Sequence, residues 1–285
     1  MNTHLEDLDP VTSDPPFFDE EFPSGLDHLN IDSDGSNMLG VLFRPQGEGP
    51  HPTAVILHGF PGHERNLDLA HVLQRAGWNA VVFHYRGAWG SEGSFSFSNM
   101  LEDVNACVEH LRSEEWESMV DRRRISLIGH SIGGWAAMMT ASEDPDILEV
   151  ASLAGFDLGG MRGFLMQSEM VRRLAVASFA DLVKPLKCAG PEELVREIVD
   201  MGERWRIPDS IGGMLGTRIL IIGASRDQIA IPEHHHDPLS RAVAGRDDLD
   251  VTIDRILSDH NFSDRRIALS GIVLHWLREG SGKYS

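Results

Sequence analysis

The chain has 285 residues, 41% hydrophobic and 24% charged, enough to bury the core of one domain, or of one domain with an insertion. Its formal net charge of −19 argues against nucleic acid or an anionic membrane as partner, and its two cysteines, Cys107 and Cys188, cannot form a disulfide framework. No apolar run reaches the roughly 18 residues of a membrane span, and the start Met-Asn-Thr-His-Leu-Glu-Asp lacks the basic and apolar parts of a secretion signal, so a soluble, cytoplasmic protein is expected, with homodimer formation left open.

Residues 1–37 carry ten acidic residues and no Lys or Arg. They read as an acidic N-terminal extension without catalytic role, a solvated arm partly anchored by Phe17, Phe18 and Phe22. From Met38 onward, short β-branched runs alternate with helical patterns, the mark of a parallel sheet. Strands are predicted at 38–43, 53–57, 79–84, 124–128, 149–153, 217–222 and 249–253. Helices are predicted at 64–76 with Gly77 as C-cap, at 99–112, from Gly133 to Ala141, at 232–244 and at 261–278. The rhythm breaks after 153, where about 60 residues carry no strand pattern. Phe164, Val171, Leu174, Ala175, Phe179 and Leu182 recur there at helical spacing, and a second helix opens at Gly190-Pro191 and ends at Gly202. The fold expected is α/β: a mostly parallel, doubly wound sheet built from 38–155 and 214–285, with a helical cap inserted at 156–213.

The run Gly129-His130-Ser131-Ile132-Gly133 follows a β-branched run and precedes a helix. That is the context of a nucleophile elbow, in which a serine sits on a strained strand-to-helix turn. The glycines two positions either side are needed because strand and helix pack there too closely for a Cβ. A serine hydroxyl is a poor nucleophile until a base takes its proton and an acid holds that base in one tautomer. The partners should follow later strands in the order acid, then histidine. Asp227 lies after the strand at 217–222, and His260 lies between the last strand and the last helix. Asp157, after the preceding strand, is the alternative acid, with Asp227 preferred. Backbone N–H groups of Ile132 and of Phe60, in the loop His58-Gly59-Phe60-Pro61-Gly62, are the candidate oxyanion donors. The triplet His234-His235-His236 is not read as a metal site, because neighbouring helical residues point in different directions.

These segments resemble those of the α/β-hydrolases. His58-Gly59-Phe60-Pro61-Gly62, the stretch 85–93, the elbow, Asp227 with Pro232, and Asp259-His260-Asn261-Phe262 follow that family's order and spacing from about Met38 to Leu277. Within the superfamily the chain is similar to dienelactone-hydrolase-like and cinnamoyl- or feruloyl-esterase-like members, and to prolyl-oligopeptidase-type hydrolase domains. The resemblance implies a serine hydrolase with a small ester or thioester substrate, an acyl-enzyme intermediate, and no metal or organic cofactor. Two departures bear on the pocket mouth: Trp89 stands at a position often small in these esterases, and His84 where Asp or Asn is common. Trp89, Phe164 and Met170 are the candidate substrate-binding residues, the last two because the apolar stripes of the insertion exceed what two free-standing helices need and Met161, Met166, Met170, Met201 and Met214 concentrate adaptable side chains there. An amidase or aminopeptidase of the same fold is the alternative. Acyl transfer to an alcohol and a ligand sensor that retains the triad without turnover are further ones.

Overall fold

The computed structural model describes residues 9–281. Among them is one sheet of eight strands: β1 (Gly25–Ser33), β2 (Ser36–Arg44), β3 (His51–Leu57), β4 (Asn79–Phe83), β5 (Val120–His130), β6 (Glu149–Leu153), β7 (Arg218–Ala224) and β8 (Asp250–Ile256). Their spatial order is β1-β2-β4-β3-β5-β6-β7-β8. β1 and β2 pair antiparallel, as do β2 and β4, and the remaining pairs are parallel. Every residue of β4, β6 and β7 is buried, as in parallel strands covered on both faces. β8 closes the far edge and exposes Asp250 and Asp254, charges that discourage pairing with another chain.

Successive side chains on the strands feed two cores on opposite faces. Val55, Leu57, Val81 and Ile221 pack with α2 (Phe97–Arg112), α3 (Ile132–Glu143) and α8 (His236–Val243). Ala54, Ile56, Val82 and Ile222 pack with α1 (Leu67–Arg75) and α9 (Arg266–Ser281). Between β6 and β7 stand α4 (Met161–Leu165), α5 (Glu169–Leu182), α6 (Pro191–Met201) and α7 (Ile207–Ser210). The insertion is tied to the core where the Trp135 Nε1–H donates to Trp205 O at 2.8 Å. Asp157 Oδ1 accepts the Ile207 N–H at 3.1 Å, joining the start of the insertion to its end. Among the described residues no helix is long and apolar enough to cross a membrane.

Two expectations need correction. The stretch 1–37 is not wholly an extension outside the core: β1 lies within it, pairs along its whole length with β2, and buries Leu29 and Ile31. Its Ser33 hydroxyl donates to Asp103 Oδ1 at 2.8 Å, and Asp103 also accepts from the backbone and side chain of Arg86. β1 alternates, with Leu29, Ile31 and Ser33 buried on one face and His28, Asn30 and Asp32 exposed on the other, while half-buried Asp27 pairs with Arg44 at 2.9 Å. The helix expected at 232–244 begins only at His236, because 232–235 form turns.

Candidate active site

β5 ends at His130 and α3 starts at Ile132, so Ser131 alone makes the turn, at φ 58° and ψ −125°. Such a backbone costs a non-glycine residue about 1–3 kcal/mol and persists only when its surroundings over-determine it. They do. The Ser131 N–H donates to Leu153 O at 2.9 Å, and Ser131 O accepts from Phe156 N–H at 3.0 Å. A Cβ on Gly129 would lie 2.0 Å from Gly133 O, and one on Gly133 would lie 2.2 Å from Leu57 O. Both elbow glycines are therefore demanded by close backbone approach.

Asp227 sits in the loop after β7. Its Oδ1 accepts the N–H groups of Ile229 and Ala230, both at 2.8 Å, and its Oδ2 faces His260 Nδ1 at 2.7 Å. A carboxylate held in this way fixes the Nδ1–H tautomer and leaves Nε2 as the basic nitrogen. His260 is brought to the elbow by the residue beside the serine. The His130 Nε2–H donates to His260 O at 2.9 Å, and the two rings stand 4.8 Å apart. His130 was legible only as the variable position of the motif, and its bond to His260 is a contact across the fold.

The 58–62 loop rests on the serine: a Cβ on Gly59 would lie 2.8 Å from Ser131 Cβ and 3.2 Å from its Oγ. Three side chains pin this loop from behind. The Tyr85 hydroxyl donates to His58 O at 3.0 Å, Trp89 Nε1–H to Pro61 O at 2.7 Å, and Arg65 Nε–H to Gly62 O at 3.2 Å. The Phe60 ring packs against Phe95, Phe97 and Phe179 of α5, with centroids 5.6, 5.8 and 5.3 Å away. Ile132 opens α3, where the first N–H groups have no partner within the helix.

Asp157 is spent elsewhere. Besides Ile207 its carboxylate takes the Gly160 N–H, and burial first of all raises its pKa. Its own N–H donates to His235 Nδ1 at 3.1 Å. The structure thus brings Asp227, not Asp157, to His260. Two of the three expected substrate-binding residues are also placed away from the serine. Trp89 holds the back of the 58–62 loop and lines a cavity that includes none of Ser131, Asp227 and His260. Met170 is 64% exposed on α5, a helix with no fully buried side chain. Phe164 lies edge-on to His234 at 5.1 Å. The residue of the insertion that reaches the loop is Phe179, from the same apolar stripe. The histidine triplet diverges: His235 stacks on Phe156 at 4.1 Å, His234 meets Phe164, and His236 sits at the start of α8 against Gly223.

Burial lowers the pKa of the histidines around the site, to about 3 for His58 and His130 and to about 4 for His235. All three are neutral in the folded chain at pH 5, whereas an unfolded chain protonates histidine near pH ~6.5. The unfolded state therefore binds more protons below that value, so stability rises with pH between about 4 and 6.5 and is lost on acidification. At pH 5 each ring is expected to cost about 2 kcal/mol relative to neutral pH, together a large share of a typical total of about 5–15 kcal/mol. Urea unfolding followed by circular dichroism at pH 5 and pH 7.5 measures this. His235→Gln should flatten the slope by up to about 1.4 kcal/mol per pH unit; an unchanged slope would mean that the ring is charged in the folded state.

A family model described as serine aminopeptidase, S33 matches residues 48–239, about two thirds of the chain. The chain belongs to that family. The matched span of this S33 member includes Ser131 and Asp227 and stops short of His260. Its sheet order and elbow are those of an α/β-hydrolase. It is 27% identical over 170 residues to the quorum-quenching protein AidA of Acinetobacter baumannii (strain MDR-ZJ06), covering 57% of this chain and 55% of that one. It is 31% identical over 154 residues to a 2-hydroxy-6-oxononadienedioate/2-hydroxy-6-oxononatrienedioate hydrolase of Escherichia coli O81 (strain ED1a), covering 51% of this chain and 50% of that one. The chain thus spans about half the length of the curated relatives it matches. Among solved structures it is similar to Est1E from Butyrivibrio proteoclasticus, with a TM-score of 0.67 at 18% identity, covering 88% of this chain and 98% of that one. At that identity the likeness speaks for the fold.

Proposed function

We propose that the protein hydrolyses carboxylic esters or thioesters of small, largely apolar acids through an acyl-enzyme on Ser131. The observation that carries this reading is a strained serine whose neighbour His130 bonds to His260 O, the histidine whose Nδ1 faces a carboxylate 2.7 Å away. His260 Nε2 takes the hydroxyl proton as Ser131 Oγ attacks the carbonyl carbon, and Asp227 stabilises the imidazolium that forms. The N–H groups of Ile132 and Phe60 receive the oxyanion, each worth about 3–4 kcal/mol on mutational precedent. The bond to the alcohol or thiol then breaks, the leaving group takes the proton from His260, and water repeats the attack on the acyl-enzyme.

The family description favours an amide-cleaving alternative, and one feature weighs against it. An aminopeptidase needs a free carboxylate for the substrate ammonium. Asp227 is saturated by Ile229, Ala230 and His260, and Asp157 by Ile207 and Gly160. The walls beside the 58–62 loop are instead the rings of Phe60, Phe95 and Phe179. On this reading the insertion caps the site, and α5 supplies the apolar wall.

A panel of p-nitrophenyl esters, aryl esters and aminoacyl anilides tests the assignment. Wild type is expected to turn over the esters and leave the anilides intact. Preferential cleavage of anilides would make the protein an amidase. A burst of acyl-enzyme without steady turnover would make it a sensor. Phe179→Ala should reorder the acyl groups, by several-fold per methylene at about 0.8 kcal/mol each. Uniform loss across the panel with a lower Tm would leave the insertion a structural part.

A further inference from the structure

A cavity of about 620 Å³ opens on the outer face of β1, β2 and β4, behind the 58–62 loop. Helices cover most of the sheet, but here three apolar side chains line the cavity in the open: Leu26 is 59% exposed, Leu39 40% and Leu67 44%. Three such side chains gathered in one concavity of small-molecule size have the shape of a ligand site rather than of scattered surface leucines.

The polar groups of the cavity set the chemistry of its occupant. Arg65 lies over the Trp89 ring at 4.6 Å and donates its Nε–H to Gly62 O. It makes no ion pair among the described residues, in a chain with 44 acidic against 25 basic residues. Its terminal nitrogens are thus left to pair with an anion, and a guanidinium matches a carboxylate in a bidentate fork. His84, on the same wall, has a buried Nδ1 without a partner. Trp89 itself stands at φ 49°, a conformation unusual for a bulky residue. That backbone presents the indole to Pro61 O and to Arg65 at once, and strain of this kind points to function where the surroundings enforce it.

We propose that this cavity is a second ligand site, for a small carboxylate with an apolar body, in which Arg65 pairs with the carboxylate and Leu26, Leu39 and Leu67 hold the hydrocarbon. The same side chains that would meet the ligand pin the 58–62 loop: Arg65 holds Gly62 O, Trp89 holds Pro61 O, and His84 packs 5.4 Å from the His58 ring. Occupancy would therefore be felt at the loop that rests on Ser131. Acids of this class are also what the proposed hydrolysis releases, so the site would respond to accumulating product. The binding claim itself does not depend on the esterase reading.

Isothermal titration of the full chain with octanoate, and with octanamide as the uncharged control, tests the site without any turnover. Octanoate is expected to bind at one site beyond any held beside Ser131, and octanamide at least about tenfold more weakly, because the guanidinium has no charge to meet. Leu39→Glu sets a carboxylate against the ligand on an exposed strand position and should abolish this binding, while Arg65→Gln should weaken it about tenfold. Phe179→Ala, against the Phe60 ring of the 58–62 loop, should leave it intact. Binding lost in Phe179→Ala but kept in Leu39→Glu would place the acid at the active site and overturn the proposal, as would the absence of binding. A dimer in wild type that Leu39→Glu dissociates would show that a second copy covers this face, and would overturn it too.

Discussion

Ser131→Ala is expected to lower kcat by roughly 10⁵–10⁶ and to abolish labelling by a fluorophosphonate probe. At about 1.4 kcal/mol per decade this amounts to roughly 7–8 kcal/mol of transition-state stabilisation. The substitution keeps the Cβ and removes only the oxygen, so the packing of Gly59 against the serine Cβ survives and the melting temperature should hold. A second variant separates chemistry from strain. Ser131→Gly also removes the nucleophile, but it relieves a side chain held at φ 58°, and it should raise stability by about 1 kcal/mol or more. Urea unfolding of both variants beside wild type checks this pair of outcomes. Labelling that persists in Ser131→Ala would move the nucleophile elsewhere.

Local pattern made most of the sheet legible. β6 runs from Glu149 to Leu153 as predicted, and β5 and β7 differ from prediction only in length. β1 was hidden because Asp27 and Asp32 mark it as part of the acidic arm, while its inward positions offer only Leu29 and Ile31 as large apolar residues. Pattern also placed Ser131, Asp227 and His260, because each follows a strand whose end is set by its own sequence. What pattern could not supply were the contacts that close over long distances. Asp157 is bound by Ile207, 50 residues on, and His130 by His260, 130 residues on. Neither spacing carries a signal. Met170 and Phe179 stand on opposite sides of α5, and it is Phe179 that packs on Phe60 while Met170 is exposed.

That difference between local and distant contacts also decides between the two aspartates. Asp227→Asn is expected to lower kcat by roughly 10⁴. The amide oxygen can keep the N–H groups of Ile229 and Ala230, both 2.8 Å from Oδ1 in wild type. Its NH₂ group then faces His260 Nδ1, where an acceptor stood at 2.7 Å. Two donors cannot face each other, so the ring shifts its proton to Nε2 and can no longer take one from Ser131. The fold should survive, since each hydrogen-bonding position keeps a partner. Asp157→Asn should behave the other way round. Its carboxylate accepts the Ile207 and Gly160 N–H groups at the root of the insertion and touches no part of His260, so the change lowers stability while sparing kcat. Steady-state kinetics and urea unfolding of the two variants, measured side by side, read both effects, and the reverse ranking in kcat would make Asp157 the acid.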